Sequence, residues 1–355
     1  NVPGYDMGSS TLRGEPSDPD VVLDEHGFIS DQRLAEKKPA NTVRIFILGG
    51  SAAFGAGQNT DYHGTHPYRD GVHSYPRNIA GQLQTYLSTR DPTVNYEVVN
   101  AAAYARRFHQ STLLYLETIS RLSPDYVVNI EGWNDVGSMV SGKPYSDAEQ
   151  MMPSLVKLQT HSESWLNKSN TYYVLSTAID KYRVRSNQKK SAASSNATSP
   201  TALQRSEYEG RKRAYVAGSR RFLQSLRQHV GVLQADGTRL VFMMQPMLPR
   251  TSVNKDLSAI EEKLLKHAHA LAEKDPALVL QYFLDDQLSD ECRDLVENAG
   301  EIYIDANREL VGVESSVEVY TDYCHLTSKG NEILAEMIGK RILASPKRAV
   351  PSRGD

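Results

Sequence analysis

Cysteine is scarce in this chain, which has two, Cys292 and Cys324, among 355 residues. Two cysteines are too few for a disulfide framework, and their spacing is wrong for a zinc site. A single bridge between them and two separate buried thiols both fit the sequence. The cysteines therefore leave the redox compartment open.

Long apolar runs and a strong excess of one charge are also missing. No stretch approaches the roughly 18 apolar residues of a membrane helix, so the sequence predicts no membrane span. Lysine and arginine number 40 against 43 aspartates and glutamates, and the net charge of −3 gives nucleic-acid binding no support. With 39% hydrophobic residues and 23% charged residues, the composition is that of a globular protein.

Short apolar runs alternate with amphipathic stretches from residue 43 onward. The runs are short and mostly rich in β-branched residues, and they predict buried strands at 43–48, 95–99, 126–130, 239–244 and 301–304. The stretches between and after them predict helices at 78–87, 111–122, 257–273 and 331–343. This alternation predicts an α/β fold, a three-layer α/β/α sandwich around a mostly parallel five-stranded sheet.

We expect one domain with additions, because no linker divides the chain. Residues 1–40 lack periodicity and are interpreted as an N-terminal arm packed on the domain at 41–345, with a C-terminal tail at 346–355. Residues 181–205 contain six lysines or arginines, five serines and no acidic residue. We interpret them as a flexible surface insertion, with a basic flap reaching an acidic substrate as the alternative.

A serine follows the first predicted strand in an unusual setting. Ser51 lies in Gly49-Gly50-Ser51-Ala52-Ala53, where backbone can approach it closely. Open parallel sheets place their active sites at the carboxyl ends of strands, although a tight strand-to-helix turn is the structural alternative. A nucleophilic serine needs a base, and Asp322 with His325, just before the last helix, can supply a histidine and its carboxylate.

Two more strand ends carry suitable groups. Gly132-Trp133-Asn134-Asp135 follows the third strand, and the Asn134 amide can donate to an oxyanion unless it only forms a turn. Asn100-Ala101-Ala102 follows the second strand and can present a backbone N–H in a cramped site. Together, four segments offer the parts that acyl transfer requires.

In this order, the four segments resemble the sequence blocks of the SGNH hydrolases, also called the GDSL esterase/lipase superfamily. Gly49-Gly50-Ser51 through Gly55 matches the first block, Gly132-Trp133-Asn134-Asp135 matches G-x-N-D, and Asp322 with His325 matches D-x-x-H. The resemblance spans residues 43–343. In the second block, N-x-G, Ala102 stands where the family has glycine. The backbone N–H of Ala102 can still donate to an oxyanion if the φ angle of this residue is negative.

The resemblance implies a role for each matched residue. Ser51 is the expected nucleophile, His325 its base, titrating near the reference pKa of about 6.5, and Asp322 the group that orients the histidine. Oxyanion donors are the backbone N–H groups of Ser51 and Ala102 and the side chain of Asn134. Gly50, Trp133 and Arg106 are expected at the substrate. No metal or other cofactor is expected.

The acyl group and the alcohol are less well defined by sequence. Residues 57–76 are rich in tyrosine and histidine, which suits sugars, so we expect a small-acyl esterase, for acetyl esters on a carbohydrate. An O-acyltransferase, a longer-chain lipase or thioesterase, and a catalytically silent glycan- or protein-binding module are the alternatives. Segments 57–76 and 181–205 suit an exported enzyme that acts on acylated polysaccharide, and a start at Asn1 is compatible with a removed export segment, so an exported protein is favoured over a cytoplasmic one. The oligomeric state is open.

Overall fold

The structure is a computed structural model of the chain. It describes residues 23–24, 26–31, 34–35, 37–57, 72–140, 200–273 and 286–345, with the backbone alone for 200–206. Most of the expected N-terminal arm, residues 181–199 of the expected insertion and the C-terminal tail lie outside the described residues. The division into arm, domain and tail therefore stays a prediction.

Five strands form one sheet, in which all neighbours are parallel. They are β1 (Thr42–Gly49), β2 (Asn95–Asn100), β3 (Tyr126–Glu131), β4 (Arg239–Met244) and β5 (Ile302–Asp305), in the spatial order β2-β1-β3-β4-β5. Burial on both faces explains why these strands read as continuous apolar runs in the sequence.

Helices follow the strands. The long ones are α2 (Ile79–Arg90), α3 (Phe108–Glu117), α4 (Trp133–Val140), α5 (Pro200–Ala235), α7 (Ala259–Ala272), α8 (Asp286–Asn298) and α10 (Ser328–Ala344). The helices α1 (Ser51–Phe54), α6 (Leu248–Thr251) and α9 (Ala306–Glu309) each have a single turn, as do the 3₁₀ segments Tyr75–Arg77 and Ile119–Leu122. None of the helices in the described part of the chain could span a membrane.

Alternating side chains of β1 enter two separate cores. Phe46 and Leu48 pack in a core with side chains of α3, α4, α5 and α8, whereas Ile45 and Ile47 pack on the other face with those of α2 and α10. The period of two along the strand thus divides the helices into two layers. The predicted three-layer α/β/α fold with a five-stranded parallel sheet is confirmed.

Three of the long helices, α4, α5 and α8, have no counterpart in the sequence-based prediction. Helix α5 begins at Pro200, so residues 200–205 of the expected flexible insertion are helical, which corrects its C-terminal boundary. Helix α8 was missed because its sequence, DQLSDECRDLVEN, has few apolar residues. Its buried side chains nevertheless recur along one face, at Leu288, Cys292 and Val296.

A buried ion pair joins the amino ends of the two strands β1 and β2. The Arg44 side chain is fully buried, and its Nε lies 2.7 Å from Glu97 Oε2. The same guanidinium donates to the carbonyls of Leu122 and Ala35, so it also holds residue 35 of the N-terminal region. The bonds to Glu97 and Leu122 are buried, which makes the loss of one partner costly.

We therefore predict that Arg44→Met lowers the free energy of unfolding by about 3–5 kcal/mol, since Glu97 is left buried without a counter-ion. The matched control is Lys329→Met at the exposed Lys329–Glu332 pair, where a loss below about 1 kcal/mol is expected. Urea unfolding measures both. Equal losses in the two variants would contradict this account of the buried pair.

Candidate active site

The candidate site lies where the strand order reverses. Strands β2 and β3 flank β1, so the chain turns one way after β1 and the other way after β2. The carboxyl ends of these three strands lead into Ser51, Ala102 and Asn134. Open α/β sheets bind ligands at such a switch point. The fold thus brings three of the predicted segments to one edge.

Ser51, His325 and Asp322 form a continuous hydrogen-bonded chain. Ser51 Oγ lies 2.8 Å from His325 Nε2, although 274 residues separate them in sequence. On the other side of the ring, His325 Nδ1 lies 2.6 Å from Asp322 Oδ2. When Nδ1–H donates to the carboxylate, Nε2 carries no proton and can accept one from the serine.

The Asp322 carboxylate is buried yet well supplied with donors. Its Oδ1 accepts the backbone N–H groups of Cys324, at 2.7 Å, and His325, at 2.8 Å. Burial on its own would raise the pKa of Asp322, but His325 and these backbone donors outweigh it and lower the pKa. The turn Asp322–His325 therefore keeps a buried carboxylate ionised.

Ionised Asp322 in turn changes the titration of His325. Burial would lower the pKa of His325, but the charge of Asp322 and the hydrogen bond to it raise the pKa above 6.5. The expectation that the pKa of His325 lies near its reference value was therefore wrong, because the pKa is raised. The imidazolium is favoured, which suits a base that must hold a proton during a reaction.

Asn134 is the second residue of the helix α4, and its side chain lies against the residue before Ser51. A Cβ on Gly50 would lie 2.3 Å from Asn134 Nδ2, so only glycine leaves room for this amide. One amide N–H of Asn134 donates to the Arg106 carbonyl at 3.0 Å. This bond fixes the rotation of the amide, so its second N–H has a defined direction.

The Ala102 N–H already has an acceptor in the structure. It donates to Asn100 Oδ1 at 3.1 Å, and Asn100 Nδ2 donates to the Ala53 carbonyl at 2.9 Å and to that of Phe54. Asn100 thus ties the end of β2 to α1, a role that the sequence analysis missed. Ala102 has no positive φ, as the glycine replacement required.

The Arg106 side chain is buried rather than directed into solvent. It is 8% exposed, and its guanidinium donates to the Ala101 carbonyl. Its neighbour Arg107 donates to Ser138 Oγ at 2.8 Å. Arg106 is therefore buried rather than solvated, and a direct contact of Arg106 with substrate stays a prediction.

Trp133 and Tyr323 form an aromatic pair beside the hydrogen-bonded chain. Their ring centroids are 4.8 Å apart, and the two residues are direct neighbours of Asn134 and Asp322 in sequence. Tyr323 is buried, whereas Trp133 is partly exposed. Trp133 therefore has part of its surface available next to the predicted site residues.

The tyrosine- and histidine-rich segment 57–76 is described only at Gly57 and from Val72 onward. Within that part, Tyr75 is buried and donates to the Val98 carbonyl at 2.6 Å. His73 is buried as well, and its Nε2 lies 3.0 Å from the Leu326 carbonyl. These two side chains support the fold, and the interpretation of them as a sugar-binding rim was wrong.

A buried polar cluster below Asn134 was not anticipated. Asp135 Oδ1 accepts the N–H of Phe108 at 3.0 Å, which joins the start of α3 to the start of α4. Glu131 accepts from Ser111 Oγ at 2.8 Å. Burial first, and then the charge of Asp135, raise the pKa of Glu131 well above its usual range. Sequence alone gives no sign that these acids meet.

Cys324 lies next to the same histidine, with Sγ 3.8 Å from His325 Nδ1. Asp322, Cys324 and His325 are the group of potential metal ligands found in the part of the chain that the structure describes. Burial raises the pKa of the Cys324 thiol well above its usual range, and the charge of Asp322 adds to this. A protonated thiol is a poor ligand. Both cysteines are free and buried.

Comparisons with known proteins give structural likenesses but no relative by sequence. No family model and no curated protein matches the chain. An acetylxylan esterase from Geobacillus stearothermophilus aligns over 84% of this chain and 94% of its own, with a TM-score of 0.42 and 14% identity. An alpha/beta hydrolase enzyme from the metagenome of Lake Arreo, Spain, aligns over 85% and 97%, with a TM-score of 0.42 and 14% identity. At such scores, the chemistry of this chain has to be inferred from its own residues.

The charge of Asp322 is predicted to set the pKa of His325. In Asp322→Asn the raising influence is lost and the lowering effect of burial stays, so the pKa of His325 should fall from above 6.5 to below it. NMR titration of the imidazole measures this. His229 is the internal control, because burial lowers its pKa to about 3 in both proteins.

The same shift has a consequence for stability. A raised pKa means that the imidazolium stabilises the folded state fully below about pH 6.5 and loses this contribution as pH rises through the folded-state value. In Asp322→Asn, the stability of the folded state should no longer fall in this way as pH rises, because the pKa of His325 is no longer raised. An unchanged His325 titration in Asp322→Asn would contradict the proposed coupling of the two groups.

Proposed function

We propose that this protein is a serine esterase of the SGNH hydrolase type that cleaves small-acyl, mainly acetyl, esters. The observation that carries the proposal is the hydrogen-bonded chain Ser51–His325–Asp322 at the carboxyl edge of the sheet. The four sequence blocks supply the family assignment. The geometry of these residues supports it independently, because distant segments meet in the order that the chemistry requires.

In the first step of the proposed reaction, Ser51 Oγ attacks the ester carbonyl as His325 Nε2 takes its proton. The new imidazolium faces ionised Asp322, which stabilises it through Nδ1. His325 then gives the proton to the leaving alcohol, and an acyl-enzyme ester forms on Ser51. Water, deprotonated by His325, attacks this ester, releases the carboxylic acid and restores the Ser51 hydroxyl.

Two donors are proposed to carry most of the oxyanion stabilisation. The Ser51 N–H is at the first residue of α1, where it has no acceptor within the helix. The second donor is the Asn134 N–H that does not bind the Arg106 carbonyl. Ala102 contributes by sharing the N–H that it gives to Asn100. Loss of one such donor typically costs about 10²–10³ in rate.

The preference for a short acyl group is proposed from the surface around the site. A long acyl chain needs exposed apolar side chains to bury it. In the described part of the chain, the large apolar residues that are exposed are Leu113, Leu116, Val216, Val253, Val311 and Leu343. None belongs to the four site segments. The partly exposed Trp133 supports a carbohydrate as the alcohol, since aromatic faces present large contact areas.

A catalytically silent binding module is the alternative of another class. A binding module needs no serine hydrogen-bonded to a histidine whose other ring nitrogen binds a carboxylate. The 2.8 Å distance between Ser51 Oγ and His325 Nε2 therefore favours the enzyme. An acyltransferase would use the same acyl-enzyme and differ only in the acceptor. Product analysis with and without an added sugar hydroxyl separates it from a hydrolase.

We predict that Ser51→Ala lowers turnover of p-nitrophenyl acetate by at least about 10³-fold, because the nucleophile is removed while the oxyanion donors stay. Release of p-nitrophenol measures this, with exposed Ser315→Ala as the matched control. Wild-type turnover no higher than that of Ser51→Ala would favour the silent module.

Acyl length provides the test of the substrate proposal. With p-nitrophenyl esters from acetyl to octanoyl, kcat/KM is expected to fall steeply beyond acetyl, because the described residues of the four site segments include no exposed large aliphatic side chain to bury added methylenes. A site with such a surface would instead gain about 0.8 kcal/mol per buried methylene. A kcat/KM that rises toward octanoyl would contradict the small-acyl proposal.

A further inference from the structure

Positive charge is concentrated in one stretch of this acidic protein. Residues 181–235 contain twelve lysines or arginines and two glutamates, a formal net charge of +10 in a chain whose total is −3. The remaining 300 residues therefore carry −13. Such asymmetry indicates a surface for a negatively charged partner rather than a generally solvated one.

The described part of this stretch is α5, and its charges lie on the face turned away from the core. Tyr215, Phe222 and Leu226 are buried on the inner face. Four cations on the outer face are exposed: Lys212, Arg213, Arg220 and Arg221. No ion pair is found for these four in the described part of the chain, whereas Arg211 is paired with Glu207.

The charged face is connected to the candidate active site through α4. Helix α4 starts with Trp133 and Asn134 at the site and ends at Val140, whose carbonyl lies 3.4 Å from the Arg211 guanidinium. A Cβ on Gly218 would lie 2.5 Å from Met139 Cγ, so α4 and α5 pack closely here. At 1.5 Å per residue, Asn134 and Val140 are separated by about 9 Å along α4.

Helix α5 also extends beyond the sheet on the side of the site. Phe222 packs on Phe108, with ring centroids 5.3 Å apart, and the Phe108 N–H bonds to Asp135 beside Asn134. Phe222 is therefore near the level of the strand ends. Lys212 and Arg213 come about ten residues earlier in α5, and so they lie about 15 Å beyond that level.

We infer that the exposed face of α5 formed by Lys212, Arg213, Arg220 and Arg221 binds the carboxylates of an acidic, O-acetylated polysaccharide and so delivers its esters to Ser51. This inference rests on the proposed esterase function. A polyuronate offers both repeated negative charge and carboxylic esters, whereas the backbone of a nucleic acid offers charge and phosphodiesters. Seven residues, about 10 Å along the helix, separate Arg213 from Arg220, so the face contacts successive sugars.

The test compares two quadruple variants with the same change in net charge. One is Lys212→Gln, Arg213→Gln, Arg220→Gln and Arg221→Gln, and glutamine keeps the helix propensity. The matched control replaces exposed cations elsewhere, Lys263→Gln, Lys266→Gln, Lys329→Gln and Lys340→Gln. Both should turn over p-nitrophenyl acetate at the wild-type rate, which also shows that they are folded.

On O-acetylated polygalacturonate at low ionic strength, the α5 variant should lose about tenfold or more in kcat/KM, through KM, while the control stays within about twofold. Added salt should reduce wild-type kcat/KM toward that of the α5 variant. Activity on neutral acetylated xylan should be the same in all three proteins. Equal losses in the two variants, or none in either, would overturn the inference.

A binding measurement separates this inference from the esterase proposal. Wild-type protein, the α5 variant and the matched control variant are titrated with polygalacturonate that carries no ester, so that no turnover is needed. Binding that weakens in the α5 variant alone supports the inference even if p-nitrophenyl acetate is not hydrolysed, in which case the esterase proposal fails by itself. Tighter wild-type binding to duplex DNA than to polygalacturonate, at equal charge concentration, would overturn the assignment to polysaccharide.

Discussion

The chemistry proposed for this protein depends on keeping one buried carboxylate ionised. Asp322 is removed from water, which favours its neutral form, and it stays charged because two backbone N–H groups and His325 bind it. Its charge then raises the pKa of His325 and fixes which ring nitrogen faces Ser51. A four-residue turn thus sets protonation state, tautomer and orientation together.

Close backbone approach at the end of β1 completes this arrangement. Gly50 has no side chain, so the Asn134 amide reaches the segment that carries Ser51, and the Arg106 carbonyl fixes the direction of that amide. Asn100 ties β2 to α1 in a similar way. Side-chain amides that donate to main-chain carbonyls thus hold the three strand ends together around Ser51.

Sequence predicted the parts of this protein that depend on pattern and missed those that depend on long-range contacts. All five strands were predicted to within two residues at each end, because strands buried on both faces are short and apolar. The proximity of Ser51 and His325 followed from block order. The burial of Arg106 and of Tyr75 could not be predicted, because each side chain bonds a carbonyl that only the fold brings near. Helix α8 was missed since its core contacts come from few residues.

The most direct measurement of the central claim is labelling with a fluorophosphonate, followed by peptide mapping. A nucleophilic Ser51 activated by His325 predicts one adduct, on Ser51, at a rate that rises with pH through a value above 6.5 and collapses in His325→Ala. An adduct on another residue, or labelling of Ser51 at full rate in His325→Ala, would contradict the account.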